Sequence, residues 1–192
     1  MSSLLPSTLN TRALPTRDLR YIRSDYPGNL TPSEIQWLIQ KNITTVIYLR
    51  EEKEYVNHPC ILESMPGFTC HHLPVTGGGD TPESVEAVAS VYLGMLDDQM
   101  DTIIDTILCA KSNVLYFCNA GKDRTGVVSA VLLKRLGFDN QQIIEDYMET
   151  LPNLEDFLTS YVRIHPEVDI NIILPRKENI LNVLSFLDQT TK

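Results

Sequence analysis

Short apolar runs alternate with longer amphipathic segments along the chain, and this pattern predicts strands separated by helices. Runs rich in β-branched and aromatic residues predict strands at 44–49, 68–75 and 113–117. Helical periodicity and helix start signals predict helices at 32–40, 82–96, 98–110, 123–136, 139–150, 154–163 and 176–189. Such alternation is typical of a mainly parallel sheet covered on both faces. The sequence therefore predicts an α/β fold with a central, mainly parallel sheet of four or five strands flanked by helices.

Three segments carry more specific signals. Thr31-Pro32-Ser33-Glu34 is a capping box with proline at the first helical position, which predicts a helix start. The 123–136 segment is apolar on most faces, so we expect a deeply buried helix. The glycine-rich stretch from Thr76 to Asp80 predicts a mobile loop.

The length and composition fit one compact domain. The chain has 192 residues, of which 43% are hydrophobic, so we expect a single domain over 1–192. Residues 1–30 are predicted as an extended basic N-terminal segment and residues 139–192 as C-terminal helices. No apolar run approaches the roughly 18 residues of a membrane span, and the N-terminus lacks the pattern of a secretory signal. We therefore expect a cytoplasmic protein with no integral membrane segment.

The charge of the chain argues against nucleic acid as a partner. Its net charge is −9, and phosphate backbones attract basic surfaces. The charge is uneven, because residues 1–50 carry six Lys and Arg against three Asp and Glu. Two interpretations of this basic segment stay open: it helps to line a pocket for anions, or it is a solvated, partly flexible arm.

The loop from Cys118 to Gly126 lies between an apolar strand and the buried helix, and it carries the most informative chemistry. The first backbone N–H groups of a helix have no intrahelical acceptor, and the helix dipole adds positive charge there. A turn of N–H groups at a helix start is therefore an anion cradle. Gly121 allows the backbone to curl closely around a bound group.

A cysteine in such a cradle is a nucleophile. Nearby cations and helix N-termini lower the pKa of a cysteine, so we expect Cys118 to be a thiolate near neutral pH. Arg124 lies six residues on, and its planar guanidinium can hold two phosphate oxygens at once. Positioning and charge stabilisation are what phosphoryl transfer requires. The alternative is a buried, inert cysteine in a tight turn.

The segment from Cys118 to Gly126 resembles the Cys-x5-Arg signature of the protein tyrosine phosphatase superfamily. Its Ala-Gly-Lys-Asp-Arg-Thr-Gly portion is similar to that of microbial tyrosine, dual-specificity and phosphoinositide phosphatases. Weaker matches lie upstream, at Asn10-Thr11-Arg12, Arg23-Ser24-Asp25, Leu30-Thr31 and Val46-Ile47-Tyr48-Leu49-Arg50 with Glu54. The resemblance covers about residues 10–136.

The resemblance implies a fold like that of the dual-specificity phosphatases and a hydrolase that acts through a phosphocysteine intermediate. It implies phosphotyrosine proteins or phosphoinositides as substrates, and no cofactor. The phosphate group is expected to bind the loop residues Asn119, Ala120, Gly121, Lys122, Asp123 and Arg124.

The leaving group needs a proton, and two carboxylic acids are candidates for supplying it. Asp123 lies inside the loop, and the resemblance favours it, with helix capping as the alternative role. Asp80 lies on the glycine-rich loop, where many relatives keep an acid, with a turn or capping role as the alternative. Thr125 is expected to bond the sulfur and assist hydrolysis of the intermediate, or else to satisfy the helix start. Lys122 is expected to add positive charge at the mouth, or else to be a solvated surface lysine.

Three upstream arginines, Arg12, Arg23 and Arg50, are candidates for contacting the substrate, with structural ion pairs as the alternative. A zinc site is not predicted. His71 and His72 are neighbours on a predicted strand, so their side chains point to opposite faces.

The chain departs from the resemblance at three positions. Phe117 stands where the superfamily usually has histidine, and Ala13 and Tyr48 stand where aspartate is frequent. These changes leave open a second hypothesis, an inactive phospho-binding module. A third hypothesis, a sulfur-transfer or arsenate-reducing enzyme, has less support because no second cysteine lies close to Cys118 in sequence.

Overall fold

The computed structural model describes residues 3–79 and 81–190, and these form a five-stranded sheet flanked by helices. The sheet order is β1-β2-β5-β3-β4. β1 is antiparallel to β2, and the other neighbours are parallel. The strands are β1 (Arg12–Ala13), β2 (Tyr21–Ser24), β3 (Ile43–Tyr48), β4 (Thr69–His72) and β5 (Asn113–Phe117). The prediction of an α/β fold with a central, mainly parallel sheet is confirmed.

Helices cover both faces of this sheet. They are α1 (Pro32–Gln40), α2 (Glu52–Asn57), α3 (Val85–Leu93), α4 (Asp98–Cys109), α5 (Asp123–Arg135), α6 (Asn140–Met148), α7 (Thr150–Ile164), α8 (Ile170–Ile173) and α9 (Lys177–Thr190), with a 3-10 turn at Ile61–Ser64. None of the helices in the described part of the chain has the length and apolar character of a membrane span.

The central strand β5 separates two hydrophobic cores by the alternation of its side chains. Leu115 and Phe117 belong to the smaller core, together with Leu38 of α1. Tyr116 and the following Cys118 belong to the larger core, which includes side chains of α3, α4, α5, α6 and α9. All ten residues from Arg124 to Leu133 of α5 are buried, as the sequence predicts. Cys118 is thereby placed on the same side of the sheet as α5.

Of the two interpretations of the N-terminal segment, the solvated arm is wrong, because the segment contributes β1 and β2, and β2 pairs directly with β5. The reason is local: Tyr21 and Ile22 are apolar and buried, one in each core. Leu9, Asp25 and Tyr26 of the same segment line a cavity beside the loop that follows β5. The short helix α2 is not among the predicted helices.

Candidate active site

The loop after β5 forms one wall of a cavity of about 430 Å³. Cys118 follows β5 directly and precedes the start of α5 at Asp123. Only 3% of its surface is exposed, yet it lines the cavity. The loop residues that line the same cavity are Cys118, Asn119, Ala120, Lys122, Asp123 and Arg124. The sulfur is therefore buried but reachable from the cavity.

The carbonyl groups of the loop are held by residues of the N-terminal segment. The backbone N–H of Tyr26 donates to the Asn119 carbonyl at 2.8 Å. The side-chain amide of Asn10 donates to the Ala120 carbonyl at 3.2 Å and to the Gly121 carbonyl at 3.0 Å. Because these acceptors are already engaged, and the first N–H groups of α5 have no intrahelical acceptor, the loop keeps donors for an anion.

Gly121 is required by two features of this turn. Its φ of +65° lies in the left-handed region that favours glycine. A Cβ atom there would lie 2.5 Å from the carbonyl oxygen of Ser24 and 2.6 Å from the backbone nitrogen of Asp25. The N-terminal segment and the loop can approach this closely only without a side chain at 121.

Arg124 is held by the carboxylate of Glu54, which is not among the predicted site residues. Its Nη1 donates to Glu54 Oε2 at 2.6 Å, and its Nη2 donates to Glu54 Oε1 at 3.0 Å. The side-chain amide of Asn119 donates to the same carboxylate. Burial opposes the charge on Arg124, but the hydrogen bonds and charge of Glu54 outweigh it, with a further contribution from Cys118, and the pKa of Arg124 is raised.

Glu54 shows the converse effect. Burial favours its neutral form, but the hydrogen bond and charge of Arg124 outweigh burial, so the pKa of Glu54 is lowered. The pair therefore stays ionised and fixes the plane of the guanidinium beside Cys118. The only sequence signal for Glu54 is its place in the resemblance, four residues after Arg50.

Asp123 occupies the first position of α5 and lines the cavity, with about one third of its side chain exposed. The hydroxyl of Tyr92 donates to its Oδ1 at 2.5 Å. Lys122 Nζ lies 3.2 Å from the same oxygen. Tyr92 comes from α3 and carries no sequence signal that points to the site. Asp80, the other candidate acid, lies outside the described residues.

Lys122 is not a solvated surface lysine. It is 6% exposed, and its ammonium group donates to the backbone carbonyl of Ile173, in α8, at 2.5 Å. It also pairs with Asp123 at 3.2 Å. The expected positive charge lies at the cavity, where it is paired with Asp123 and fixed to the cavity wall.

Thr125 is fully buried behind the loop. Its backbone carbonyl accepts a hydrogen bond from the side-chain hydroxyl of Ser129, four residues further along α5, at 2.7 Å. Its hydroxyl oxygen has no hydrogen-bond partner among the described residues. Neither of the contacts expected for that hydroxyl, with the Cys118 sulfur or with the helix start, is formed in this structure.

Two of the upstream arginines, Arg12 and Arg23, form the ion pairs that the sequence leaves open as the alternative to substrate contact. Arg23 is fully buried, donates to Asp146 at 2.5 Å and holds the Gly121 carbonyl at 2.8 Å. Arg12 lies 3.4 Å from Asp146, and burial, followed by the charge of Arg23, lowers the pKa of Arg12 to about 10. None of Arg12, Arg23 and Arg50 lines the cavity that the described residues form.

Arg50 packs against Tyr26, whose backbone N–H holds the loop at the Asn119 carbonyl. It donates to the His58 carbonyl at 2.5 Å, and its guanidinium lies 4.1 Å from the centre of the Tyr26 ring. Two departures from the superfamily pattern meet beside it. Tyr48 and Phe117 are register partners on β3 and β5, with ring centroids 5.1 Å apart at 82°. The two departures therefore form one aromatic contact, which anchors the residue before Cys118 by packing.

Across the described ranges 3–79 and 81–190, no cluster of three or more His, Cys, Asp or Glu side chains is arranged to hold a metal ion.

A sequence model of the tyrosine phosphatase family matches residues 7–190. A tyrosine-protein phosphatase from Nostoc commune is 25% identical over 145 residues, which cover 70% of this chain and 49% of that protein. The triple specificity protein phosphatase PtpB from Mycobacterium tuberculosis is 38% identical over 61 residues, 30% of this chain and 22% of that protein. The matched regions thus span about half or less of these relatives.

Among solved structures, a mutant form of Tk-PTP resembles the fold, with a TM-score of 0.51 and 17% sequence identity. The likeness covers 95% of this chain and 97% of that one. At this level of identity the likeness concerns the fold.

Proposed function

The chain belongs to the tyrosine phosphatase family, and from this we propose that it hydrolyses phosphomonoesters through a phosphocysteine intermediate at Cys118. Its proposed substrates are phosphotyrosine proteins or phosphoinositides. One observation carries the proposal. Cys118, the nucleophile, and Arg124, the phosphate-binding cation, line the same cavity at the start of α5.

In the first step the Cys118 thiolate attacks the phosphorus atom, and an S–P bond forms as the bond to the leaving oxygen breaks. Asp123 gives its proton to that oxygen, so the alcohol or phenol leaves neutral. Arg124 and the loop N–H groups stabilise the charge on the three phosphoryl oxygens. A guanidinium has five N–H donors, and the two that bind Glu54 leave three for the substrate.

In the second step a water molecule attacks the phosphorus atom and gives a proton to the Asp123 carboxylate. The S–P bond breaks, inorganic phosphate forms and the thiolate is regenerated. The hydroxyl of Thr125, which has no partner among the described residues, is proposed to donate to the departing sulfur. A hydrogen bond to the thiolate makes it a better leaving group.

The cavity wall favours an aromatic leaving group. Apolar and aromatic side chains of α3, α7 and α8 line it: Val88, Val91, Tyr92, Leu154, Phe157, Leu158, Tyr161, Ile172 and Ile173. A phosphotyrosine ring suits such walls, whereas the Lys122 ammonium, which a second phosphate would use, already donates to the Ile173 carbonyl and pairs with Asp123. These contacts support phosphotyrosine proteins over multiply phosphorylated headgroups.

Steady-state hydrolysis of an aryl phosphate tests the proposal. The wild type is expected to turn over, and Cys118→Ser is expected to lose at least ~10³-fold, because an alcohol replaces the thiolate. Cys109→Ser is the matched control, since Cys109 is an exposed free cysteine at the end of α4. No turnover by the wild type, with phosphotyrosine still bound, would instead identify a phospho-binding module.

A panel of phosphotyrosine peptides and short-chain phosphoinositides tests the substrate class, with Cys118→Ser as the trapping variant. We expect the highest kcat/KM for phosphotyrosine peptides. Among the lipids, we expect headgroups with one phosphate to be better substrates than those with two. A preference for the headgroup with two phosphates would reject phosphotyrosine as the main substrate class.

A further inference from the structure

Asp123 is the end point of a chain of buried hydroxyl groups. The hydroxyl of Tyr92 donates to Asp123 Oδ1 at 2.5 Å, and the hydroxyls of Tyr92 and Tyr147 lie 2.8 Å apart. Each tyrosine is 1% exposed. The two residues come from α3 and α6, and their rings pack edge to face at 6.3 Å. This chain of hydrogen bonds therefore links side chains from three helices, α3, α5 and α6.

The direction of this chain follows from the number of protons. A tyrosine hydroxyl has one proton to donate, and an ionised carboxylate only accepts. Tyr92 must therefore donate to Asp123, and Tyr147 must donate to Tyr92. Burial, followed by the charge of Asp123, raises the pKa of Tyr92 well above its ordinary value. Tyr92 thus remains a donor throughout the working pH range.

The two oxygens of Asp123 differ as a result. Oδ1 receives Tyr92 at 2.5 Å and has Lys122 Nζ at 3.2 Å. A proton on Oδ1 would conflict with both of these donors. Oδ2 is not the acceptor in either of these contacts, so it is the oxygen that can carry a transferable proton.

The support behind the chain is rigid. Tyr147 lies against the backbone of α5, where a Cβ at Gly126 would be only 3.0 Å from its ring. The absent side chain lets the ring approach the helix that carries Asp123. Close packing of this kind fixes a side chain in one rotamer.

We propose that Tyr92 is a positioning residue that holds Oδ1 of Asp123, so that Oδ2 carries the proton to the leaving oxygen, with Tyr147 supporting Tyr92. This rests on the proposed function, in which Asp123 is the general acid. Tyr92 does not react itself. It restricts the acid to one rotamer and one protonated oxygen, which is how positioning lowers the barrier to proton transfer.

Leaving-group dependence tests this assignment. For Tyr92→Phe, kcat/KM with phenyl phosphate, whose leaving group needs a proton, is expected to fall about 10-fold. With dinitrophenyl phosphate, whose leaving group needs none, the loss is expected to stay below about 2-fold. In an Asp123→Asn background, Tyr92→Phe is expected to cause no further loss with either substrate, because the two residues act as a unit.

Tyr116→Phe is the matched control, because the Tyr116 hydroxyl is equally buried and bonds Ser129 at 2.8 Å, away from Asp123. It is expected to affect both substrates alike. Equal losses on the two substrates for Tyr92→Phe, or no loss on either, would overturn the assignment. Absence of turnover by the wild type would instead overturn the proposed function.

Tyr147→Phe provides a second variant in case Tyr92→Phe does not fold. It keeps the contact between Tyr92 and Asp123 but removes the donor behind it. We expect a smaller loss, about 3-fold, on phenyl phosphate only. A loss that is the same for both substrates would count against the chain.

Discussion

The two sides of the 118–126 loop differ in how their polar groups are used. On the rear side, Asn10 and Arg23 occupy loop carbonyls, and Arg23 is neutralised by Asp146. On the cavity side, Arg124 and Asp123 are held in position but face a space large enough for a substrate. The rear side is therefore a structural support, and the cavity side holds groups in place for chemistry. Changes at the rear should cost stability, and changes at the cavity should cost rate.

The largest effect is expected at the rear, from Arg23→Met. This change leaves Asp146 in the interior with the more distant Arg12 in place of its closest cation, and removal of one partner of a buried ion pair costs about 3–5 kcal/mol. The free energy of unfolding, measured with urea, is expected to fall by that amount. In the double variant Arg23→Met/Asp146→Leu, part of it should return. A single variant as stable as the wild type would remove the distinction between the two sides.

Arg124→Lys is the corresponding change at the cavity. Lysine keeps the charge but cannot form the two-bond contact with Glu54 or with phosphate. We expect kcat/KM for an aryl phosphate to fall about 10²–10³-fold, with a change in unfolding free energy of no more than about 1 kcal/mol. Loss of stability as large as that of Arg23→Met would contradict the assignment of Arg124 to the cavity side.

Asp123→Asn compares the two candidate acids on the cavity side. We expect kcat/KM for phenyl phosphate to fall about 10²-fold, and Asp80→Asn to have a smaller effect. Dinitrophenyl phosphate is the control substrate, because its leaving group does not need a proton. Equal or reversed losses for the two variants on phenyl phosphate would transfer the role of general acid to Asp80.

The smallest effect is expected at Glu34, and it concerns the stability of the protein and the pH dependence of that stability. Glu34 accepts from the backbone of Ser7 at 2.7 Å and from the Thr31 hydroxyl at 2.7 Å. Burial disfavours its charge, but these hydrogen bonds outweigh burial and lower the pKa of Glu34 from 4.5 to about 2. We expect Glu34→Gln to lower the unfolding free energy at pH 7 by about 1–2 kcal/mol, with kcat unchanged.

The pH dependence of that difference follows from the lowered pKa. Between about 2 and 4.5 the unfolded state binds the proton more readily, so the stabilisation by Glu34 is complete above this window and is lost as the pH falls through it. The wild type and Glu34→Gln should therefore approach each other in stability as the pH falls. If the difference in unfolding free energy were constant from pH 7 to pH 2, the contribution of Glu34 would not depend on its ionisation.

The loop and its two flanking elements could be predicted from sequence because their signals are local. β5 spans 113–117 as predicted, and α5 begins at the predicted residue, since an apolar run and a buried helix are both visible in a short window. The strand β2 could not be predicted in this way. Its four residues are stabilised by pairing with β5, which lies about 90 residues further along the chain.

The partners of the site residues were hidden for the same reason. Arg124 meets Glu54 across 70 residues, Asp123 meets Tyr92 across 31, and Arg23 meets Asp146 across 123. The Cys-x5-Arg spacing marks Arg124 in the local sequence, but nothing local to Arg23 marks it as a structural arginine. The distinction lies in which carboxylate each one reaches after folding.

The most direct test of the central claim is to trap the intermediate on the wild-type protein. The enzyme would be mixed with an aryl phosphate, quenched in acid within milliseconds and analysed by intact-mass and peptide mass spectrometry. We predict one added phosphoryl group on the peptide that contains Cys118, absent in Cys118→Ser. Turnover with the label on another residue, or with no protein-bound phosphate under conditions where phosphate release is slow, would contradict the role of Cys118 as the nucleophile.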